Sequence, residues 1–314
     1  MPTVSFLSWN IENFGLKKDS QEFHEYLTQV ICSFEVDFLA ILEVRANNAL
    51  ELGHEIAGRV PMDTGEDKLW VFQESDWVTE HTEQVLTLWN PNKLKWTGVI
   101  DLSNINFPKK DSRPPFAARV STQMKFGTKL VGMPVVAYHA QAPKKQDTAP
   151  GCAALAKIPG LKEAGVVMGD FNIDSSDVTQ GLGKEAFGAL AKLGYAIGLK
   201  NSPTSLKTVK RVEKEAKESQ KDPKLADCVS SEYDNAFTRL PSGIKVAVER
   251  ADLITLGTAS SMDDKYKELF SAWYAAHKKG VSAGWKATDE FPTVLESFRA
   301  YRQTVSDHLP VKVT

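Results

Sequence analysis

Residues 306–311 read SDHLPV, and the fold is decided by how many other stretches share that pattern. Asn10 follows an apolar run in SWNIENFG. Glu43 follows LAIL, His139 follows VVAY, and Asp170 and Asn172 sit in VVMGDFNID. A short apolar run bounded by polar residues is the pattern of a buried strand. Each strand therefore hands a polar side chain to its own tip. Two histidines delivered together with carboxylates and carboxamides imply one assembled site. The chemistry that needs such a set is metal-assisted hydrolysis of a phosphate ester.

The 314 residues are 42% hydrophobic and 25% charged, a globular composition with ample core. A net charge of −2 gives no broad basic field, although a neutral total is compatible with a local basic groove. Cys32, Cys152 and Cys228 are odd in number and far apart. They have no zinc-site spacing and make a disulfide framework unexpected, so a reducing compartment is the simplest expectation. No apolar run approaches the roughly 20 residues of a membrane span. MPTVSFLSWNIENF reads as a core strand, with neither a basic region nor a signal-like apolar block. A soluble cytoplasmic protein with no membrane partner is expected.

Outward from the motifs, Val4 to Trp9 alternates as a strand and Ser20 to Phe34 has apolar residues at helical spacing. Phe38 to Leu42 reads as a strand and Asn47 to Val60 as a helix. Leu69 to about Val136 is mostly strand-like, with turns at Asn90-Pro91-Asn92 and Phe126-Gly127-Thr128. Val166 to Met168 reads as a strand, Glu185 to Leu193 as a helix, and Tyr233 to Phe237, Ala247 to Leu256 and Leu309 to Val313 as strands. The pattern predicts an α+β fold, two sheets packed face to face and covered by helices. One domain over residues 1–314 is expected, with two interruptions. Residues 205–224 are charge-rich and predict an exposed helix or mobile arm, either a solvated face or a nucleic-acid contact. Residues 261–303 predict aromatic-rich helices packed beside the site.

A phosphodiester repels nucleophiles by its charge and loses a very basic leaving group. Its hydrolysis needs a divalent cation, a base for water, and donors around the phosphoryl oxygens. Magnesium prefers oxygen ligands, and Glu43, Asp170, Asp307, Asn10 and Asn172 offer them. His139 and His308 suit proton transfer or an electrophilic role. Glu83 and Asp234 are candidate partners that would orient the two imidazoles.

SWNIENFG, ILEVR, LWNPNKL, DSRPPF, YHAQAP, GDFN, YDNAF and SDHLPV occur in this order along the chain. Together they resemble the DNase I-like endonuclease/exonuclease/phosphatase superfamily, closest to DNase I-type nucleases, where EVR, RPNK, HxAP, GDFN, YDR and SDHxPV follow the same order. The resemblance implies a four-layer α/β/β/α sandwich with its site at one rim. It implies that Asn10 and Glu43 hold Mg2+ or Mn2+, with Asp307 close by. His139 and His308 become a catalytic pair, oriented by Glu83 and Asp234, while Asp170 and Asn172 position water and phosphate. Arg45 and Arg113 would contact substrate phosphates. The chain departs from the pattern at Leu42, where the family has glutamine, and at Asn235, where it has arginine. Ser175 and Ser231 stand where the family has two cysteines.

The resemblance implies a metal-dependent endonuclease, with DNA as partner, that hydrolyses by in-line attack of water and leaves 5′-phosphate and 3′-hydroxyl ends. Alternatives are the same machinery on abasic DNA, RNA or a phosphoinositide or lipid phosphoester, and a catalytically inactive binding module.

Overall fold

The computed structural model describes residues 4–15, 21–45, 48–65, 67–75, 83–108, 113–122, 131–141, 147–174, 180–242, 244–253, 298, 301–302 and 305–314. In chain order the elements begin β1 (Phe6–Phe14), α1 (Gln21–Ser33), β2 (Phe38–Arg45), α2 (Ala49–Thr64), β3 (Val71–Glu74) and β4 (Glu83–Trp89). There follow β5 (Leu94–Val99), β6 (Phe116–Thr122), β7 (Met133–His139), α3 (Thr148–Ala154), β8 (Gly165–Asp170) and α4 (Gly181–Lys192). The remainder are β9 (Ala196–Ile197), β10 (Ser205–Leu206), α5 (Val209–Ser219), α6 (Leu225–Cys228), β11 (Val229–Ser231), β12 (Asp234–Arg239), β13 (Val248–Arg250) and β14 (Val311–Val313).

Two six-stranded sheets result, ordered β13-β14-β1-β2-β4-β3 and β5-β6-β7-β8-β12-β9. Side chains alternate across a strand, so each sheet has two faces to bury. Phe6, Phe38, Ala40 and Leu42 of the first sheet meet Val135, Ala137, Val166, Met168 and Ala236 of the second between the sheets. Leu7, Trp9, Leu39 and Ile41 point the other way, onto Phe23, Leu27 and Val30 of α1 and Leu52 and Ile56 of α2. Val136, Tyr138, Val167 and Phe237 face out of the second sheet onto Ala186, Phe187 and Leu190 of α4 and Cys152 of α3. The layers are helix, sheet, sheet and helix, as the alternation predicts.

The strand expected over Ala247 to Leu256 forms over Val248–Arg250, with Ala247 exchanging hydrogen bonds with Thr314 and the Ala251 amide donating to the Pro310 carbonyl; residues 254–256 lie outside the described residues. Residues 205–224 contain the expected exposed helix, α5, rather than a mobile arm. β10 pairs with β11, and α5 buries Val212 and packs Val209 on the helical side of the first sheet. The turn expected at Phe126-Gly127-Thr128 and nearly all of the helical segment expected over 261–303 lie outside the described residues.

The strand register aligns the site. β7 and β8 are parallel and pair Tyr138 with Gly169 and His139 with Asp170. Gly169 has φ +147°, and a Cβ there would lie 1.9 Å from the Tyr138 carbonyl oxygen. Only glycine allows the two strands to approach at this point. Gly169→Ala is expected to destabilise the protein by about 2 kcal/mol or more in urea unfolding. A change within about 0.5 kcal/mol, the range of an ordinary surface substitution, would show that this approach is not needed.

Candidate active site

Three strands of the second sheet end in one row. His139 of β7 lies opposite Asp170 of β8, and Asp170 lies opposite Asp234 of β12. All three continue the inward parity of Ala137, Met168 and Ala236, so their side chains face the first sheet. Asn10 shares the inward parity of Phe6 on β1. Glu43 would not. After inward Leu42 a regular strand would turn it toward the helices, but it has φ +60° and the register of β1–β2 and β2–β4 shifts around it. This bulge re-aims Glu43 into the site and returns Val44 to the helical side.

The two sheets meet at Asp170. Asn10 Nδ2 donates to Asp170 Oδ2 at 3.0 Å and to Glu43 Oε1 at 2.9 Å. The Asn172 amide donates to Asp170 Oδ1 at 2.9 Å, and Asn172 Nδ2 to the Ala140 carbonyl at 3.0 Å. His139 Nε2 lies 3.4 Å from Glu43 Oε1 and 3.7 Å from Asp170 Oδ2. His308 Nε2 lies 3.6 Å from Asp170 Oδ2 on the other side. Behind the imidazoles, Asp234 Oδ2 is 2.6 Å from His308 Nδ1, and Glu83 Oε2 is 3.3 Å from His139 Nδ1.

No protein-family model matches the sequence, and no curated protein shows significant similarity to it. Solved structures do align along its whole length. A Bacteroides thetaiotaomicron mannosyl-6-phosphatase aligns at TM-score 0.57 and 14% identity, over 99% of both chains. An endonuclease/exonuclease/phosphatase family protein of the same organism aligns at 0.55 and 13%, over 99% of this chain and 93% of that one. D. rerio TDP2, complexed with a single-strand DNA product, aligns at 0.50 and 13%, over 99% and 98%. The chain has the DNase I-like endonuclease/exonuclease/phosphatase fold.

Within that fold the remaining expected residues divide. Arg113 turns inward: Nη2 binds Glu83 Oε1 at 3.1 Å, and Nη1 lies 2.7 Å from His139 Nε2 and 3.0 Å from Nδ1. Arg45 stays exposed on the rim, opposite Glu83 in register, with Nη2 3.3 Å from Asn13 Oδ1. Asn235 binds the Leu199 backbone through both ends of its amide, so it splints the structure where the family pattern has arginine. Asp307 reaches His308 Nε2 with Oδ1 at 3.5 Å and Arg302 with Oδ2 at 3.4 Å.

Several residues that shape the site carry no motif. Thr204 donates to Asp234 Oδ2 at 2.8 Å and accepts the Asp234 amide at 2.9 Å. Ser306 donates to the Asn10 carbonyl and accepts the His308 amide, joining the last strand to β1. Tyr301 and Arg302 reach the site from the stretch before it. Ser306 was visible inside SDHLPV; a threonine in a loop and a tyrosine among many aromatics give no signal.

The donor set suits a hard divalent cation. Glu43, His139 and Asp170 bring ligand atoms within 4.8 Å of one another, as do Asp170, Asp234 and His308. Buried carboxylates this close need positive charge to offset them, which a divalent cation would supply. Glu43 and Asp170 are best placed to hold it. Asn10 turns its nitrogen to both carboxylates while Oδ1 accepts the Glu12 amide at 2.9 Å, so it orients them. Asp307 belongs to neither cluster among the described residues.

Burial opposes a charge on His308, but Asp234, Asp170 and Asp307 outweigh it and hold the imidazole well above its usual range. Burial pushes Asp234 up to about 6, with His308 pulling the other way. The 2.6 Å contact between Asp234 and His308 therefore favours the charged imidazolium. Burial, reinforced by Asp170, pushes the Cys152 thiol up, so it stays protonated and is no nucleophile.

A histidine whose pKa is raised on folding contributes stability that is complete below the unfolded value near 6.5 and is lost as pH rises through the folded value. In the metal-free protein, NMR should find His308 still protonated at pH 7.5, with Asp234→Asn bringing its titration down toward or below the usual range. The melting temperature of the wild type should fall on the alkaline side and that of the variant should not follow it. Ordinary titration of His308 near 6.5 in the wild type would contradict the pairing.

Proposed function

We propose that the protein is a divalent-metal-dependent phosphoesterase that hydrolyses DNA by direct in-line attack of water. The observation that carries this reading is the row His139, Asp170 and Asp234 facing Asn10, Glu43 and His308. It supplies a base, charged donors and oxygen ligands around one point. A bound magnesium or manganese ion would offset charge on the phosphoryl group and the departing oxygen. Glu43 and Asp170 would hold the ion, with Asn10 orienting the two carboxylates through its Nδ2.

His308, charged and backed by Asp234, donates to a phosphoryl oxygen as negative charge builds there. Asp170 accepts the proton of the attacking water, and Asn172 fixes Asp170 through its amide. A new bond forms between the water oxygen and phosphorus while the bond to the leaving oxygen breaks. His139 supplies the proton to that oxygen, with Glu83 setting its orientation through Nδ1. The expected products are a 5′-phosphate and a 3′-hydroxyl. Arg45 on the rim supports contact with a neighbouring phosphate, and the D. rerio TDP2 structure with its DNA product supports a nucleic-acid substrate for this fold.

One observation favours a second reading, a phosphomonoesterase of a small substrate. Arg113 lies inside on Glu83 and His139, leaving less cationic surface along the rim for a strand. The mannosyl-6-phosphatase neighbour is in keeping with it.

Supercoiled plasmid, single-stranded DNA and a hexose 6-phosphate should be offered to the protein with magnesium, manganese or chelator. Cleavage of DNA that needs metal and falls by about 100-fold or more in His139→Ala and His308→Ala supports the nuclease. Hydrolysis of the sugar phosphate alone supports the second reading. Metal-independent cleavage, or full activity in both variants, would sink the mechanism.

A further inference from the structure

Tyr301 and Arg302 follow one another in a helical turn, yet each reaches a different part of SDHLPV. Tyr301 is fully buried. Its hydroxyl donates to the His308 carbonyl at 2.6 Å and accepts the Trp9 indole N–H at 3.1 Å. Its own carbonyl takes the Val305 and Ser306 amides at 2.8 and 3.1 Å. Arg302 spreads its guanidinium between two carboxylates. Nη1 is 3.0 Å from Glu12 Oε2, and Nη2 is 3.4 Å from Asp307 Oδ2. Glu12 is itself held, because its amide donates to Asn10 Oδ1.

We propose that Tyr301 and Arg302 form a two-point clamp that positions Asp307 and His308: Arg302 through the Asp307 carboxylate, Tyr301 through the His308 backbone. Asp307 lies in a bend and its side chain is 29% exposed, so its rotamer is not set by packing. The rigid guanidinium fork sets it instead, anchoring one oxygen so that the other faces His308 Nε2. Removal of the arginine charge would leave Glu12 and Asp307 to repel one another, and Asp307 would swing toward water. The tyrosine fixes the other coordinate, the distance of the His308 backbone from β1, because Trp9 lies on that strand. Both residues act through others and touch no reacting atom, so they are positioning residues. The clamp makes the site depend on where Tyr301 and Arg302 sit.

The activity side of the test rests on the phosphoesterase reading, so a second readout is needed that does not. Full-length Arg302→Gln, Arg302→Lys and Tyr301→Phe are compared with wild type in steady-state hydrolysis and, without metal, in amide hydrogen exchange over residues 305–311. Melting temperatures verify that each variant folds. The clamp predicts that Arg302→Gln lowers kcat about 10-fold or more, as loss of a supporting residue does, with KM within about twofold. Arg302→Lys should recover part of that loss, and Tyr301→Phe, which removes one hydroxyl, should lower kcat and speed exchange at residues 305–311. A raised KM at constant kcat would make Arg302 a substrate ligand and overturn the proposal. Unchanged exchange in Tyr301→Phe together with unchanged kcat in Arg302→Gln would also overturn it. A wild type inactive on every phosphoester would refute the phosphoesterase reading, and the exchange data would still decide the clamp.

Discussion

The Asp170 carboxylate is the interaction on which the rest of the structure turns. It is 1% exposed, and both its oxygens are engaged. One takes the Asn172 amide from its own sheet, and the other takes Asn10 from the opposite sheet and faces both imidazoles. A buried charge of this kind is tolerated only where donors and counter-charges surround it. Every element that supplies one must therefore arrive at the same rim. The register of β7, β8 and β12 brings His139 and Asp234 beside it. β1 brings Asn10, and the tail brings His308.

The fold delivers these groups by regular alternation and then breaks the alternation where chemistry needs it. His139, Asp170 and Asp234 follow from period-two parity alone. Glu43 and Asn172 do not, since both sit at positive φ, +60° and +52°. Such conformations are costly for residues with a Cβ and persist where surrounding bonds over-determine them. Here the bonds are visible. The Asn13 amide holds Glu43 Oε2, and the Ala140 carbonyl holds the Asn172 side chain. The strain sits next to Asp170, where each re-aimed side chain is used.

Much of this was legible in the residues. Apolar runs ending in Asn10, Glu43, His139 and Asp170 announced strands that carry a site, and the two-sheet architecture followed from their number and turns. What stayed hidden has a common physical cause. The resemblance assigned Arg113 to substrate phosphates, but sequence does not say which way a long side chain points; it lies on Glu83 and His139. Asp307 was expected close to the metal as an oxygen donor and by the resemblance. Its partner Arg302 is fixed by a turn that spacing does not reveal. Thr204 and Tyr301 act through single hydroxyls, and a hydroxyl becomes functional only through what tertiary packing sets 2.6 to 2.8 Å away. The helix α5 within the charge-rich residues 205–224 is mostly exposed, as expected, and a bridge between Ser205 and His308 places the start of the stretch against the site.

The central claim is that Asp170 and Glu43, brought from two sheets, form one divalent-cation site at the phosphate-binding rim. It is tested most directly by crystals soaked in manganese, with diffraction data collected at the manganese absorption edge. The account predicts an anomalous peak in contact with carboxylate oxygens of both Glu43 and Asp170. A peak elsewhere, or none there while those two side chains keep their positions, would contradict it.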